Sequence, residues 1–321
     1  MTEPVRIPVR LHVGAVSAAS AADRFGGLLA PSLAYRQRTG LLAERLVAVV
    51  AERDGGQLGI ALGQVQPGTD VGEVLCLSVP EGERRRGVGS ALLARLEGAL
   101  AGAGCPVVQG TYRSDWPGAV ATERLLAAAG WGAPVVQKLF YKVDLRAFDA
   151  LPEIRALALP GGYSVDRWDT LTDADRAHVE AILDRDQAAQ PTSPFQRPDL
   201  VSEAFSVWVR HEGKIVGWMA LLQPSPTVME YSGLYVVRRH RPSRAGVAAV
   251  AAAVRRQVAA IDRHEAAGGD PGDGPPRFGI FAVEPWNGPM LAFARKWIGL
   301  PESTVTTVWL AGKRLAAGVA D

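Results

Sequence analysis

The chain has little sulfur: two cysteines, Cys76 and Cys105, in 321 residues. That excludes a disulfide framework and a four-cysteine zinc site. The five histidines (His12, His178, His211, His240 and His264) show no ligand spacing of the H-E-x-x-H kind, so no metal is expected. Net charge is also scarce. Thirty-five Lys and Arg against 33 Asp and Glu leave +2, and no nucleic-acid footprint is visible at the whole-chain level. Long apolar runs are missing: the longest, from Ala245 to Val254, is too short to span a bilayer and meets Arg255-Arg256. The opening MTEPVRIPVRLHV carries no apolar stretch of the signal-peptide kind. No G-x-x-x-x-G-K-[ST] and no G-x-S-x-G occur, which sets aside a nucleotide P-loop and a serine-hydrolase elbow. The expectation is a cytoplasmic, reduced protein without a membrane or nucleic-acid partner.

What is present is enough apolar sequence, 48%, for real cores, and a length of about two domains at ~100–200 residues each. Two segments break the periodic patterns: Arg146–Gly162, with two prolines and a terminal Gly-Gly, and Gly268–Pro276, GGDPGDGPP. The first separates halves of similar length. The expected domains are 1–148 and 163–321, with 149–162 as linker; the second segment is expected to be a mobile loop.

Each half has the same order of elements. In the first, strands are expected at Val9–Val13, Glu44–Glu52, Gln57–Val65 and Gly72–Val79, with helical or irregular stretches at Ala19–Leu29 and Ser32–Leu42. A helix at Gly87–Ala101, a strand at Val107–Tyr112, a helix at Ala119–Ala129 and a closing strand at Val135–Leu145 follow. In the second, strands at Tyr163–Asp166, Phe205–His211, Lys214–Gln223, Met229–Val237, Phe278–Val283 and Thr304–Ala311 alternate with helices at Asp173–Asp186, Ala245–Ala267 and Gly288–Trp297. The chain is thus an internal duplication of a mixed α/β domain. In each copy a mostly antiparallel sheet is flanked by helices.

The most informative stretch is Val79–Gly89, VPEGERRRGVG, between a strand and a helix. Gly87 and Gly89 let backbone N–H groups approach a ligand, and the helix start offers unpaired donors and the positive end of its dipole. Arg84, Arg85 and Arg86 add charge. Together they form a candidate anion site, most simply for phosphate or pyrophosphate. Position 92 is Leu, so a dinucleotide fingerprint lacks its third glycine, and the antiparallel strands before it argue against a doubly wound sheet.

Arg84-x-x-Gly87-x-Gly89 at this place resembles the acyl-CoA pyrophosphate loop of the GNAT-type N-acetyltransferases, as does the later helix ending in Gly130-Trp131. The second copy keeps the frame: Arg241 lies five residues after Val236, as Arg84 does after Val79, in the loop Arg241-Pro242-Ser243-Arg244-Ala245-Gly246. There Arg244 replaces the first glycine and Pro242 lacks an N–H. Asn287-x-x-Met290 resembles the family's Asn-bearing helix start near pantetheine. The likeness covers nearly the whole chain as a tandem pair, similar in layout to the mycothiol synthase type.

The resemblance implies direct transfer of an acetyl group from acetyl-CoA to the amine of a small molecule, by a monomer or homodimer. It implies cofactor binding by Leu77, Ser78, Val79, Arg84, Arg85, Arg86, Gly87, Val88, Gly89 and Ser90. Glu73 is the candidate base. Strand alternation would put it on the face of Leu75, Leu77 and Val79 and opposite Cys76. Glu230 is its counterpart in the second copy. The family's acid tyrosine is absent: its place holds Leu126 in the first copy and about Ala294 or Arg295 in the second. Tyr112, Ser114 and Tyr141 are the candidate substitutes, and Trp116 is a candidate for lining the substrate pocket. Two alternatives stay open: catalysis by the second copy, and an acyl-CoA-binding sensor without turnover.

Overall fold

The computed structural model describes residues 10–17, 33, 36, 42–54, 56–270, 272–301 and 303–315. The stretches 19–29 and 32–42 lie almost wholly outside the described residues. Contacts divide the chain into two compact units, Met1–Gln137 with Thr307–Asp321, and Lys138–Thr306.

In the first unit β1 (Arg10–Ser17), β2 (Arg45–Arg53), β3 (Gly56–Val65) and β4 (Val71–Ser78) form an antiparallel meander. Helix α1 (Val88–Gly102) then crosses over to β5 (Val107–Arg113), which runs parallel to β4. Helix α2 (Ala119–Ala128) follows. Leu92, Leu93, Leu96 and Leu100 recur at helical spacing on α1, and all four are buried against Val49, Ala61 and Val108. Each such leucine stabilises the fold by about 1.5–3 kcal/mol. The sheet makes room for them with glycine: a Cβ at Gly63 would stand 3.1 Å from Leu96, and one at Gly72 3.2 Å from Leu100. A separate cluster contains Leu46, Ile60, Leu62, Leu75 and Cys76.

The second unit comprises β6 (Val135–Asp144) from Lys138 on, α3 (Leu145–Asp149), α4 (Pro152–Arg155), β7 (Tyr163–Arg167), α5 (Asp173–Arg185), β8 (Val207–His211), β9 (Lys214–Ser225), β10 (Val228–Val236), α6 (Ala245–Ala266), β11 (Phe278–Val283) and α7 (Gly288–Trp297). Its sheet order is β7-β8-β9-β10-β11-β6, with β10 and β11 parallel and the other pairs antiparallel. A capping box between Thr172 and Asp175 starts α5. The β8–β9 turn has positive φ at both Glu212 (49°) and Gly213 (78°), as a two-residue hairpin of this twist requires. Trp208 and Trp218 are fully buried in a cluster beneath α5, where Trp168 stacks on Trp208 with centroids 4.0 Å apart.

Two strands do not stay with their own half of the sequence. β6, expected to close the first half, pairs with β11, from Val283↔Leu139 to Phe278↔Asp144. The last strand, β12 (Thr304–Arg314), pairs with β5, from Val308↔Arg113 to Arg314↔Val107. The stretch expected to be a linker is also structured. Asp144 accepts hydrogen bonds from the backbone N–H of Arg146 and Ala147 at 3.0 and 3.2 Å and so caps α3. Leu145, Phe148 and Ile154 are buried in the second unit's core. The compact units therefore part at 137/138 and 306/307, where the sequence reading drew 148 and 163.

Candidate active site

The first unit's site begins where two parallel strands separate. β4 and β5 are hydrogen-bonded only from Val71↔Val107 to Val74↔Gly110. Beyond that point β4 continues through Leu75–Ser78 without a partner on β5. The split coincides with a bulge: Leu62 opposes Cys76 and Gly63 opposes Val74, so Leu75 is the extra residue.

From Val79 the chain makes one turn of tight helix at Glu81–Glu83 and then enters α1. Arg85 (φ 60°) and Gly87 (φ 82°) both have left-handed backbone, a combination that turns successive N–H groups toward a common point. The first helical bond runs from Ala91 N–H to the Gly87 carbonyl at 3.0 Å. The N–H groups of Val88, Gly89 and Ser90 lie ahead of it. A Cβ at Gly89 would sit 3.8 Å from Leu125 and Val79, in ordinary contact with both.

The three arginines have separate jobs. Arg84 Nε donates to the Val79 carbonyl at 3.0 Å and staples the loop to the strand end. Arg86 pairs with Glu83 at 3.2 Å, and Glu83 also takes two 3.0 Å bonds from Arg53. Arg85 is exposed and, among the described residues, has no salt bridge. The backbone donors and Arg85 thus make up most of the anion-binding potential.

Glu73 is buried, on β4. Its Oε1 accepts from Arg36 Nη1 at 2.7 Å and its Oε2 from Gln64 Nε2 at 2.9 Å. Gln64 Oε1 in turn accepts from the Ala43 N–H at 2.8 Å. The expected shared face of Glu73, Leu75, Leu77 and Val79 does not occur. The bulge shifts the alternation, so Leu75 and Cys76 share one cluster while Leu77 and Val79 pack with α1. Cys76 accordingly does not oppose Glu73. Arg36 is the functional candidate that sequence reasoning missed: nothing in its spacing marks it, since its role comes from a tertiary ion pair.

Of the candidate acids, Tyr112 is buried on β5 opposite Trp309. Burial, and then the charge of Glu123, push its phenol up, so it keeps its proton at neutral pH. Ser114 Oγ accepts from the Thr307 N–H at 3.0 Å. Tyr141 lies on β6 in the second unit's core, 6.3 Å from Phe281, and so has no place in the first unit's sheet. Leu126 packs beside the α1 core. Trp116 is 38% exposed, just ahead of α2.

The second unit repeats this geometry. β10 and β11 are paired only at Met229↔Gly279 and Glu230↔Ile280, so Glu230 sits where the strands part. A bulge leaves Ser232 extra, in the place of Leu75. Arg241 Nε donates to the Val236 carbonyl at 2.9 Å, as Arg84 does to Val79. Arg244 takes the left-handed backbone of Gly87, with φ 62°. Below it opens a cleft of about 470 Å³ lined by Tyr235, Arg241, Arg244, Asn287 and Met290. Asn287 caps α7, accepting from the Met290 N–H at 3.3 Å. Tyr235 donates to Asp186 at 2.6 Å; burial and that carboxylate push the phenol up.

Among the described residues no group of His, Cys, Asp and Glu is arranged to hold a metal ion. No helix there is long and apolar enough to cross a membrane.

Residues 20–115 match the model of the acetyltransferase (GNAT) family. Comparison with curated proteins found no match. Among solved structures, a tandem GNAT protein from the clavulanic acid biosynthesis pathway is similar over 97% of this chain and 100% of its own. The TM-score is 0.64 at 18% identity. A GCN5-related N-acetyltransferase from Sphaerobacter thermophilus is similar over 99% of this chain and 98% of its own, with TM-score 0.58 and 19% identity. The chain therefore has the tandem GNAT fold, two mixed α/β units each with a large sheet flanked by helices.

Proposed function

We propose that this chain, a tandem protein of the GNAT fold, transfers an acyl group from acyl-CoA to the amine of a small molecule, with the cofactor held chiefly by the first unit. The observation that carries the reading is the join of split strands to loop: β4 leaves β5 after Val74 and leads into left-handed Arg85 and Gly87 and the open start of α1. The N–H groups of Val88, Gly89 and Ser90, with Arg85, suit a pyrophosphate. The unpaired edge of β4 suits an extended chain lying against Leu77 and Ser78.

Acyl-CoA, when bound, supplies the electrophilic acyl carbon of a thioester. The protein's part is to orient and to stabilise charge. N–H groups on the free edge of β4 are the candidate donors to a developing oxyanion. The Tyr112 phenol, protonated at neutral pH, is the candidate proton donor in this unit. Glu73 has both oxygens engaged, so it holds Arg36 and Gln64 in place.

One observation favours a second reading, in which the second unit binds cofactor and does the chemistry: its split strands open onto the cleft beside Tyr235 and Asn287. Calorimetric titration with acetyl-CoA, followed by an amine panel, tests both. One site and turnover support the first unit as donor site. Two sites reopen the choice. Binding without turnover on any amine makes the chain a sensor, and no binding removes the reading.

A further inference from the structure

The second unit has another concavity of about 470 Å³, which shares only Tyr235 with the cleft between β10 and β11. Three elements surround it. Helix α5 contributes His178 and Arg185, and the β8–β9 hairpin contributes His211 and Lys214. The segment after β10 contributes Arg238, Arg239 and His240.

The charges here are unbalanced. Arg185, Lys214, Arg238 and Arg239 are all exposed, and among the described residues none of them forms a salt bridge. The two carboxylates of the lining, Asp186 and Glu212, offset only half of that charge and leave two cations in excess. Asp186 accepts from Tyr235 Oη and from the Ala188 N–H, and Glu212 sits at the tip of the hairpin. Four cations against two carboxylates around one hollow favour an anion between them.

The histidines are held by their neighbours and shape the wall. His240 is buried; its Nε2 accepts from Arg239 Nε at 2.9 Å, which leaves the ring proton on Nδ1, 2.7 Å from Tyr163 Oη. Burial, then the charges of Arg239 and His211, hold His240 below the ordinary histidine value, so it stays neutral at pH 7. The bond to His240 also fixes Arg239 at the wall. The His211 ring lies 5.0 Å from that of His240. His178 Nε2 bonds the Ile215 carbonyl at 3.0 Å, which fixes its ring.

We infer that this hollow binds a small phosphoryl-bearing anion, at a site separate from the acyl donor. A tetrahedral dianion accepts hydrogen bonds from several directions at once, and cationic groups converge here from three elements. A planar carboxylate is satisfied by a single guanidinium fork and needs no such enclosure. The ligand is a phosphorylated small molecule, either the acceptor's own phosphate or a separate effector.

The test uses the full chain and two calorimetric titrations: acetyl-CoA alone, and inorganic pyrophosphate into chain already saturated with acetyl-CoA, which fills the loop before α1. Arg238→Gln/Arg239→Gln changes exposed residues only. Arg95→Gln/Arg263→Gln removes the same charge elsewhere. The expected result is 1:1 pyrophosphate binding that weakens at least tenfold in the first variant and less than twofold in the second, with acetyl-CoA affinity unchanged in both. Three results would overturn the proposal: no saturable pyrophosphate binding, equal weakening in both variants, or parallel loss of pyrophosphate and acetyl-CoA in the first. The last would assign these arginines to the donor's phosphates. An unchanged far-UV circular dichroism spectrum and thermal unfolding curve show that the variant is folded, and unchanged acetyl-CoA binding lets this proposal fail while the acyltransferase reading stands.

Discussion

The loops after β4 and β10 hold the same place in their sheets and are held by the same contact, an arginine Nε bonded to the carbonyl at the strand end. Both enter their helix through a residue with left-handed backbone, yet that residue is Gly87 in one and Arg244 in the other. The shape of the loop therefore does not depend on glycine. The staple and the helix impose it, and Arg244 carries a cost of about 1–2 kcal/mol to comply. What glycine contributes in the first loop is access: nothing stands within 4 Å of a Cβ at Gly87, whereas Arg244 puts a cationic side chain at the matching position, among those lining the cleft. A duplicated scaffold can thus keep its backbone while one copy changes what the backbone presents.

The largest expected effect breaks the comparison outright. Gly89→Glu puts a carboxylate among the N–H donors and should reduce acetyl-CoA affinity at least a hundredfold by calorimetry. Gly246→Glu should do so only if the second cleft is also a donor site. Next comes Glu73→Gln. If Glu73 positions Arg36, kcat should fall several-fold with the pH–rate profile unmoved; a shift of the profile to higher pH would make Glu73 the base. Removing either staple, Arg84→Ala or Arg241→Ala, should cost about 1 kcal/mol in denaturant unfolding. Only Arg84→Ala should also weaken acetyl-CoA binding. The smallest effects are at the left-handed positions. Gly87→Ala should destabilise by about 1 kcal/mol, while Arg244→Gly should change stability by less than about 1 kcal/mol, since relief of strain is offset by a more flexible unfolded chain.

Much of this was legible in the sequence because it is local. The leucine spacing of α1 and the five-residue step from Val79 to Arg84 each lie within one or two turns of chain. The bulge at Leu75 was not legible, because Leu75 and Cys76 are both apolar and the string looks like ordinary alternation. Nor was the ion pair of Arg36 with Glu73, whose partners are 37 residues apart. The division of labour among Arg84, Arg85 and Arg86 was hidden too, since three adjacent arginines look alike until Val79 and Glu83 claim two of them. The exchange of β6 and β12 escaped for a further reason. An amphipathic strand shows that it pairs, and its own residues do not name its neighbour.

That exchange has a consequence for how the protein is made. The first unit's sheet waits for β12, whose partner β5 leaves the ribosome almost two hundred residues earlier (Val308 pairs with Arg113). At about 5–20 residues per second, that is a delay of roughly ten to forty seconds. During it, one side of β5 stays an open edge, and buried Glu97, bonded to Trp131, lacks the 2.6 Å bond from Lys313. The half that carries the proposed donor site is the first to be synthesised and the last to be finished. An interrupted chain would thus leave the loop before α1 on an incomplete sheet.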